Sequence, residues 1–296
     1  MDKRQTEFVK KLIESKDQNY IYENVKNIFG YDKEGIPNVV DGQVLYLAWQ
    51  AIKNTSAEME HELMEKRFYQ NSQERYEEFV QPHMKKIDGT TFWMGSALDA
   101  KIKYCGEEPQ HKVQLDAYYV SDIVVSQELY AKYDPQYTKS GDVNMPVCYV
   151  SWYDAIMFSK WINCRLLSEA EWEYACRANS NGAWCCEKEE DLRKYAWYSE
   201  NSDGYIHQIA QLKPNSYGLY DVHGNVWEWI IDSYEDDYYG KSPLVNPINK
   251  SENGQKVCRG GSIQAFSEMC RNTFRTYESI DFKASDIGFR LARNEK

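Results

Sequence analysis

Apolar and polar residues follow the period of an α-helix over the first part of the chain. Two apolar runs recur at helical spacing, and each would form one buried face: Phe8, Val9, Leu12 and Ile13, then Ile21, Val25, Ile28 and Phe29. Gly30 follows the second run, where glycine commonly ends a helix. Thr55 and Glu58 have the spacing of a capping box, and Pro82 ends the charged run that follows. We therefore predict a small helical N-terminal region over residues 1–85.

From residue 86 onward the pattern changes to short segments separated by turns. Residues 91–95 and 113–120 show the partial alternation and the β-prone residues that are typical of strands. Ser151 and Ser168 are each placed to cap a helix, and the second has a glutamate at capping-box spacing. Long irregular stretches follow these helices. The pattern therefore predicts an α+β class with few helices and much loop over residues 86–296.

The composition adds an excess of aromatic residues to this picture. Aromatics make up 15% of the chain, with 24 Tyr and 9 Trp, while the hydrophobic share of 42% is ordinary for a globular protein. Tyr and Trp bury a large apolar body and keep a polar group, so they suit irregular cores and binding surfaces alike. The excess is consistent with a fold that is poor in regular structure.

Charge and cysteine content exclude several classes of function. The net charge is −11, which disfavours nucleic acid and anionic membranes as partners. No segment approaches the ~18 apolar residues of a membrane span, and the N-terminus begins as a helix rather than as a signal peptide. We therefore predict a cytoplasmic protein whose eight cysteines stay reduced. None of them forms a Cys-x-x-Cys motif, so a structural zinc site is not predicted.

The most specific signal lies in two segments of the last third of the chain. Residues 218–229 read Gly-Leu-Tyr-Asp-Val-His-Gly-Asn-Val-Trp-Glu-Trp, and a second segment opens with Arg-Gly-Gly-Ser at 259–262 and closes with Ile-Gly-Phe-Arg-Leu at 287–291. The glycines indicate tight turns or close backbone approach. Trp227 and Trp229 alternate with a glutamate, which predicts a strand with one apolar face.

These segments belong to an ordered series that resembles the formylglycine-generating-enzyme family, also called the sulfatase-modifying-factor family. The resemblance covers roughly residues 87–293. The segments that carry it occur in the family's order at residues 92–95, 108–113, 146–155, 169–175, 213–221, 224–229, 259–262 and 287–291. The resemblance implies an irregular, aromatic-rich C-type-lectin-like fold for residues 86–296.

The resemblance also implies a calcium loop. In family members the equivalent loop can hold the ion through side chains at the positions of Asp221 and Glu228 and through backbone carbonyls at the positions of Gly224 and Val226. These are oxygen ligands that suit a hard cation. The alternative is that Asp221 caps a turn and Glu228 pairs with an arginine, and the sequence leaves both interpretations open.

The copper site of the family is not complete in this sequence. The oxidases of the family use two cysteines spaced five apart after the Gly-Gly-Ser, because two thiolates bind Cu(I) with high affinity. Counting from this motif, the second position is Cys270, but the first is Ala265, and an intervening histidine position is Phe266. The resemblance therefore does not predict copper or formylglycine formation.

Two other metal arrangements depend on where the cysteines and histidines lie in the sequence. Cys258 could in principle pair with Cys270, although the spacing differs from that of the family. Related sulfoxide synthases use a three-histidine iron site, but the five histidines here are scattered and form no His-x-x-x-His-x-Glu pattern. Neither arrangement is predicted.

The leading interpretation is a binding protein built on an enzyme fold. The same architecture recognises ligands in diversity-generating-retroelement proteins and in effector-neutralising immunity proteins, so a protein or peptide partner is expected. The candidate surface mixes aromatic residues, methionine and acid: Phe266, Met269, Phe274, Tyr277, Asp281 and Phe282.

Two alternatives to this interpretation stay open. One is a metal-dependent oxidase or hydroxylase that modifies a peptide or thiol, with Cys270 as its candidate catalytic residue. The other is a scaffold that dimerises through its N-terminal helices. The sequence predicts neither the oligomeric state nor the identity of the partner.

Overall fold

The computed structural model describes residues 3–33, 37–53, 55–139 and 144–295. The N-terminal region is helical, as predicted; its helices are α1 (Lys3–Glu14), α2 (Gln18–Phe29), α3 (Gly42–Lys53), α4 (Ala57–Met64) and α5 (Ser72–Phe79), with a π-helical turn at Glu65–Tyr69. The predicted apolar face of α2 is buried throughout. On α1, Leu12 is buried and Ile13 is exposed, and the side chain of Val9 lies outside the described part of the chain.

Two details at the helix ends differ from the prediction. The N-cap of α4 is Ser56 rather than Thr55, because the Ser56 hydroxyl accepts the hydrogen bond from the Met59 amide. Gly30 ends α2 as predicted, but its φ of −74° is not left-handed, so any residue could adopt this backbone conformation.

The N-terminal helices dock directly on the rest of the chain. Helix α3 packs against α7 (Trp152–Trp161), and the Gly42 amide donates to Oδ1 of Asp154 at 2.9 Å. A Cβ at Gly42 would lie 2.6 Å from the Asp154 backbone nitrogen, so only glycine permits this approach. Buried residues of these helices, including Leu45 and Phe68, belong to the same core as Phe158 and Phe289. The two regions therefore share one hydrophobic core.

The two helices predicted from their serine caps are both present. Ser151 and Asp154 form a complete capping box for α7, and Ser168 and Glu171 form one for α8 (Glu169–Arg177). A shorter helix, α6 (Gln127–Tyr133), precedes them. Each box satisfies amides that would otherwise lack partners at the helix start.

The strands are short and form three sheets in the described residues. Strands β1 (Met84–Ile87), β4 (Tyr118–Val124) and β9 (Arg290–Asn294) form one antiparallel sheet, with β4 in the centre. Strands β2 (Thr90–Met94) and β3 (His111–Leu115) pair as an antiparallel hairpin. The third sheet has the order β7 (Thr276–Ser279), β6 (Gln255–Arg259), β5 (Trp227–Ser233) and β8 (Ile287–Gly288), with β8 parallel to β5.

The third sheet pairs the end of the 218–229 segment with the segments at 259–262 and 287–291. Its register sets Glu228 of β5 beside Arg259 of β6 and beside Gly288 of β8. Residues 178–226 connect α8 to β5 with little regular structure. The architecture is therefore α+β and irregular, with a small helical N-terminal region. No helix in the described ranges combines the length and the apolar character that a membrane span needs.

Candidate functional site

The chain after β6 turns on two glycines in the left-handed region. Gly260 and Gly261 have φ of +99° and +81°, a conformation that side chains disfavour. A Cβ at Gly261 would lie 2.5 Å from Sγ of Cys270 and 3.3 Å from Cβ of Ala265. The turn therefore places Ala265 and Cys270 next to Gly261, and these are the two positions at which the resemblance expects the copper cysteines.

Cys270 is fully buried at this turn. Its carbonyl oxygen accepts a hydrogen bond from Nδ1 of His223 at 2.7 Å. Burial raises the pKa of the Cys270 thiol far above its usual range, so the thiol stays protonated at neutral pH. Its surroundings are apolar and aromatic: Trp184, Cys186, Leu192, Ala196, Tyr198 and Ala265. Cys270 is therefore placed as a packed thiol rather than as an exposed nucleophile.

The structure does not bring Cys258 together with Cys270. Cys258 lies in the large core with Trp229 and Ile287, whereas Cys270 lies in a separate small cluster. Among the residues that the structure describes, no group of three or more His, Cys, Asp or Glu side chains is arranged to hold a metal ion. The histidines are dispersed, and His223 is buried with its pKa lowered to about 4 by desolvation.

The loop before β5 is fastened to the Gly-Gly turn. The Gly224 amide donates to the carbonyl oxygen of Gly260 at 2.8 Å. Gly224 has a φ of +76°, and a Cβ there would overlap the carbonyl oxygen of Trp197. The amide of Asn225 donates to that same oxygen at 2.7 Å. The two glycine motifs are therefore hydrogen-bonded to each other, although they lie more than thirty residues apart in the sequence.

Glu228, near the start of β5, pairs with Arg290. Nη2 of Arg290 lies 2.8 Å from Oε1 of Glu228, and both side chains are about 1% exposed. Nε1 of Trp172 donates to Oε2 of Glu228 at 3.0 Å. The guanidinium also donates to the carbonyl oxygens of Ser121 and Tyr220. Both carboxylate oxygens of Glu228 thus accept hydrogen bonds from N–H donors. This is the arrangement expected if Glu228 pairs with an arginine.

In contrast to Glu228, the carboxylate of Asp221 is only partly satisfied by hydrogen bonds among the described residues. Its Oδ2 accepts the amide of Ala210 at 2.8 Å, but its buried Oδ1 has no hydrogen-bond partner among the described residues. Burial raises the pKa of Asp221 to about 6. Of the two carboxylates that the resemblance assigns to calcium, Asp221 therefore offers a free oxygen to a hard cation, and Glu228 does not.

The candidate binding surface is partly exposed and partly buried. Phe266, Tyr277 and Phe282 are 62%, 43% and 40% exposed, and Asp281 is exposed as well. Met269 is partly covered by the cluster around Cys270. Phe274 is a correction to the sequence-based surface, because it is only 8% exposed and packs against Tyr104 and Trp227.

Sequence reasoning missed a buried ion network behind the glycine turn. Nη2 of Arg259 lies 2.7 Å from Oε2 of Glu173, and Nη2 of Arg275 lies 2.7 Å from Oε2 of Glu169. All four side chains are buried. Both glutamates lie on α8 at i,i+4 spacing, which was a visible signal, but their arginines lie more than eighty residues away.

A third buried ion pair holds the segment that contains Cys270. Nη2 of Arg271 lies 2.7 Å from Oε1 of Glu107, and Thr273 also donates to Glu107. Ion pairs at this depth cost desolvation energy, so their main effect is to fix geometry. Together these buried ion pairs tie the segment from Gly260 to Phe274 to α8 and to Glu107.

Comparisons with known proteins identify the family. The model of the sulfatase-modifying factor enzyme 1-like domain matches residues 69–295. The chain belongs to this family, and the irregular C-type-lectin-like fold predicted from the sequence is confirmed.

Similar proteins carry enzyme names, and the similarity is partial. The formylglycine-generating enzyme of Streptomyces coelicolor is 32% identical over 181 residues, which are 52% of this chain and 54% of that protein. The formylglycine-generating enzyme of Mus musculus is 33% identical over 165 residues, or 50% of this chain and 44% of that protein. The alignments thus span about half the length of these relatives.

A solved structure gives the same fold over a larger share of the chain. Treponema denticola variable protein 1 matches with a TM-score of 0.64 and 29% identity, and covers 72% of this chain and 95% of its own. PvdO from Pseudomonas aeruginosa matches with a TM-score of 0.65 and 26% identity, and covers 72% and 94%.

Proposed function

We propose that this chain has lost the copper oxidase chemistry of its relatives and uses the fold to bind a protein or peptide. The observation that carries the proposal is the turn at Gly261, where a methyl group and one buried, protonated thiol stand at the two positions expected to supply copper thiolates. Tight Cu(I) binding needs two soft sulfur ligands, and Ala265 supplies none. The residues present therefore do not fit the copper ion.

The proposed binding surface consists of exposed residues in the segment after the Gly261 turn, from Phe266 to Phe282. Phe266, Tyr277 and Phe282 expose large aromatic area, and aromatic residues are enriched where proteins meet. Asp281 is exposed and Glu278 is half-buried between them, which adds negative charge. A partner with apolar anchors and surrounding basic groups is complementary to this arrangement.

The test is affinity capture from the native host with matched variants. The chain, Phe266→Ala, Tyr277→Ala and Phe282→Ala are compared by quantitative mass spectrometry, with Tyr20→Ala as control. Tyr20 is 42% exposed and lies on α2, so it matches Tyr277 in type and exposure. We expect one partner to be retained by the chain and by the control and lost from the three surface variants. Equal capture by all variants would contradict the proposal.

A second candidate function is a metal-dependent oxidase or hydroxylase that modifies a peptide or thiol. It is favoured by the names of the relatives and by the presence of Cys270. Oxygen consumption with a cysteine-containing peptide, abolished in Cys270→Ser, would support this activity in place of binding. The buried position of Cys270 argues against it.

Calcium is proposed as a structural ion at Asp221. The support is the buried Oδ1 without a partner, since a cation there would compensate a carboxylate that burial disfavours. We also propose that the protein acts in the cytoplasm. The support is that all eight cysteines are free, which suits a reducing compartment.

A further inference from the structure

A cavity of about 460 Å³ lies between the N-terminal helices and the lectin-like part of the chain. Its walls come from the end of α5, from β4, from α6 and from β9. Most of the lining is apolar: Phe79, Val80, Val124, Val125, Leu129, Ile209 and Leu291. The volume is about three times that of an engineered 150 Å³ cavity that binds benzene. A ligand of one or two rings therefore fits this space.

One carboxylate in the lining is only partly satisfied by hydrogen bonds among the described residues. Glu128 of α6 lines the cavity, and its buried Oε2 has no hydrogen-bond partner in the part of the chain that the structure describes. Its Oε1 accepts the Asn144 amide at 3.3 Å. A buried carboxylate oxygen without a donor is costly, so this atom is the natural place for a ligand's N–H group.

The positive groups of the lining are already engaged. Nδ1 of His83 lies 3.0 Å from Oδ1 of Asp122. Nζ of Lys132 lies 4.6 Å from the centre of the Phe79 ring, which is a cation–π distance. No ion pair to Glu128 is present in the described ranges, and the complementary ligand group is therefore a cation that donates hydrogen bonds.

We propose that this cavity binds a small molecule with an apolar body and one primary ammonium group, which donates to Oε2 of Glu128. The apolar walls would bury the body of the ligand, and the single acid would select its charge. The site is remote from the Gly261 turn in sequence and uses none of its residues. It is therefore distinct from the binding surface proposed above, although Ala210 of its lining donates its amide to Asp221.

Calorimetry with three compounds that share an indolylethyl body tests the proposal. Tryptamine carries the ammonium, tryptophol replaces it with a hydroxyl, and indole-3-propionate replaces it with a carboxylate. Because hydrogen bonds to charged groups contribute about 1.5–3 kcal/mol, we expect tryptamine to bind at least tenfold more tightly than tryptophol. Indole-3-propionate should not bind.

Three variants locate the binding in the cavity. Glu128→Gln keeps the shape and should weaken tryptamine at least tenfold while leaving tryptophol unchanged. Ile209→Trp should fill the cavity and abolish binding of both. Glu74→Gln, an exposed acid on α5, should change nothing. No binding at millimolar tryptamine, equal affinity for tryptamine and tryptophol, or unchanged binding in Glu128→Gln would each overturn the proposal.

Discussion

Replacing Asp221 with asparagine should stabilise the protein in a strongly pH-dependent way. Burial raises the pKa of Asp221 to about 6, against about 3.9 in an unfolded chain. The folded state therefore binds the proton more tightly, and between pH 4 and pH 6 stability is lost as the carboxyl ionises. A difference of about two units corresponds to about 3 kcal/mol, which is fully expressed above pH 6 and absent below pH 4.

Asp221→Asn removes the charge and keeps an oxygen that can accept the Ala210 amide. In the presence of a chelator, we expect the variant to exceed the original chain by up to about 3 kcal/mol at pH 8 and to equal it at pH 3.5. The assay is urea unfolding at several pH values, with Asp88→Asn as an exposed control. A variant that is less stable at pH 8, or a difference that does not vary with pH, would refute the reasoning.

Calcium provides a second arm of the same experiment. If the ion binds Oδ1, adding it at pH 8 should stabilise the original chain by RT ln(1 + [Ca]/Kd). The gain should be smaller in Asp221→Asn, because a neutral amide oxygen is a weaker ligand. Stability that is unchanged by both calcium and chelator would show that the site does not take the ion.

Three further perturbations test the packing and the buried charges. Gly42→Ala should lower the free energy of unfolding in urea by about 1–3 kcal/mol, because the new Cβ meets the Asp154 backbone. Gly240→Ala should be near neutral, because the nearest neighbour of its Cβ lies at 3.9 Å, and equal effects of the two substitutions would contradict this. Glu173→Gln should cost about 3 kcal/mol, because it removes the buried charge that pairs with Arg259 and Arg177 and leaves Arg259 with Glu169 at 3.1 Å; adding Arg259→Met should recover part of the loss in a double-mutant cycle. The lowered pKa of His223, about 4, means that the free energy of unfolding falls as pH drops from 6.5 to 4, and His223→Gln should remove about 3 kcal/mol of that loss in urea unfolding.

Local features of the fold were predictable because their causes are local. The serine caps of α7 and α8 lie within four residues of the groups that they satisfy, so the sequence shows them directly. The predicted apolar face of α2 is buried for the same reason. The N-cap of α4 lies one residue beyond Thr55 because Ser56 offers an equivalent hydroxyl, and Met59 at N3 cannot complete a capping box.

Features that depend on distant partners were predicted only in part. The sequence suggested that Glu228 pairs with an arginine, and the structure identifies Arg290. The partners of Glu173 and Glu169 were missed because helix spacing does not indicate which arginine approaches from another segment. The cavity beside Glu128 was also missed, since docking of α5 against β4 and α6 creates it. Phe274 was misassigned to the surface because its burial depends on Tyr104, far away in the chain.

The central claim is that the fold at Gly261 no longer holds copper because one thiolate is missing. Anaerobic titration with Cu(I) in competition with a chromogenic chelator tests it directly, using the original chain, Ala265→Cys and Ala265→Cys/Cys270→Ser. We predict that no tight Cu(I) site exists in the original chain and that one equivalent is bound by Ala265→Cys, because the Gly261 turn holds both positions together. The double variant should lose the site again. One tightly bound equivalent in the original chain, removed by Cys270→Ser, would contradict the account.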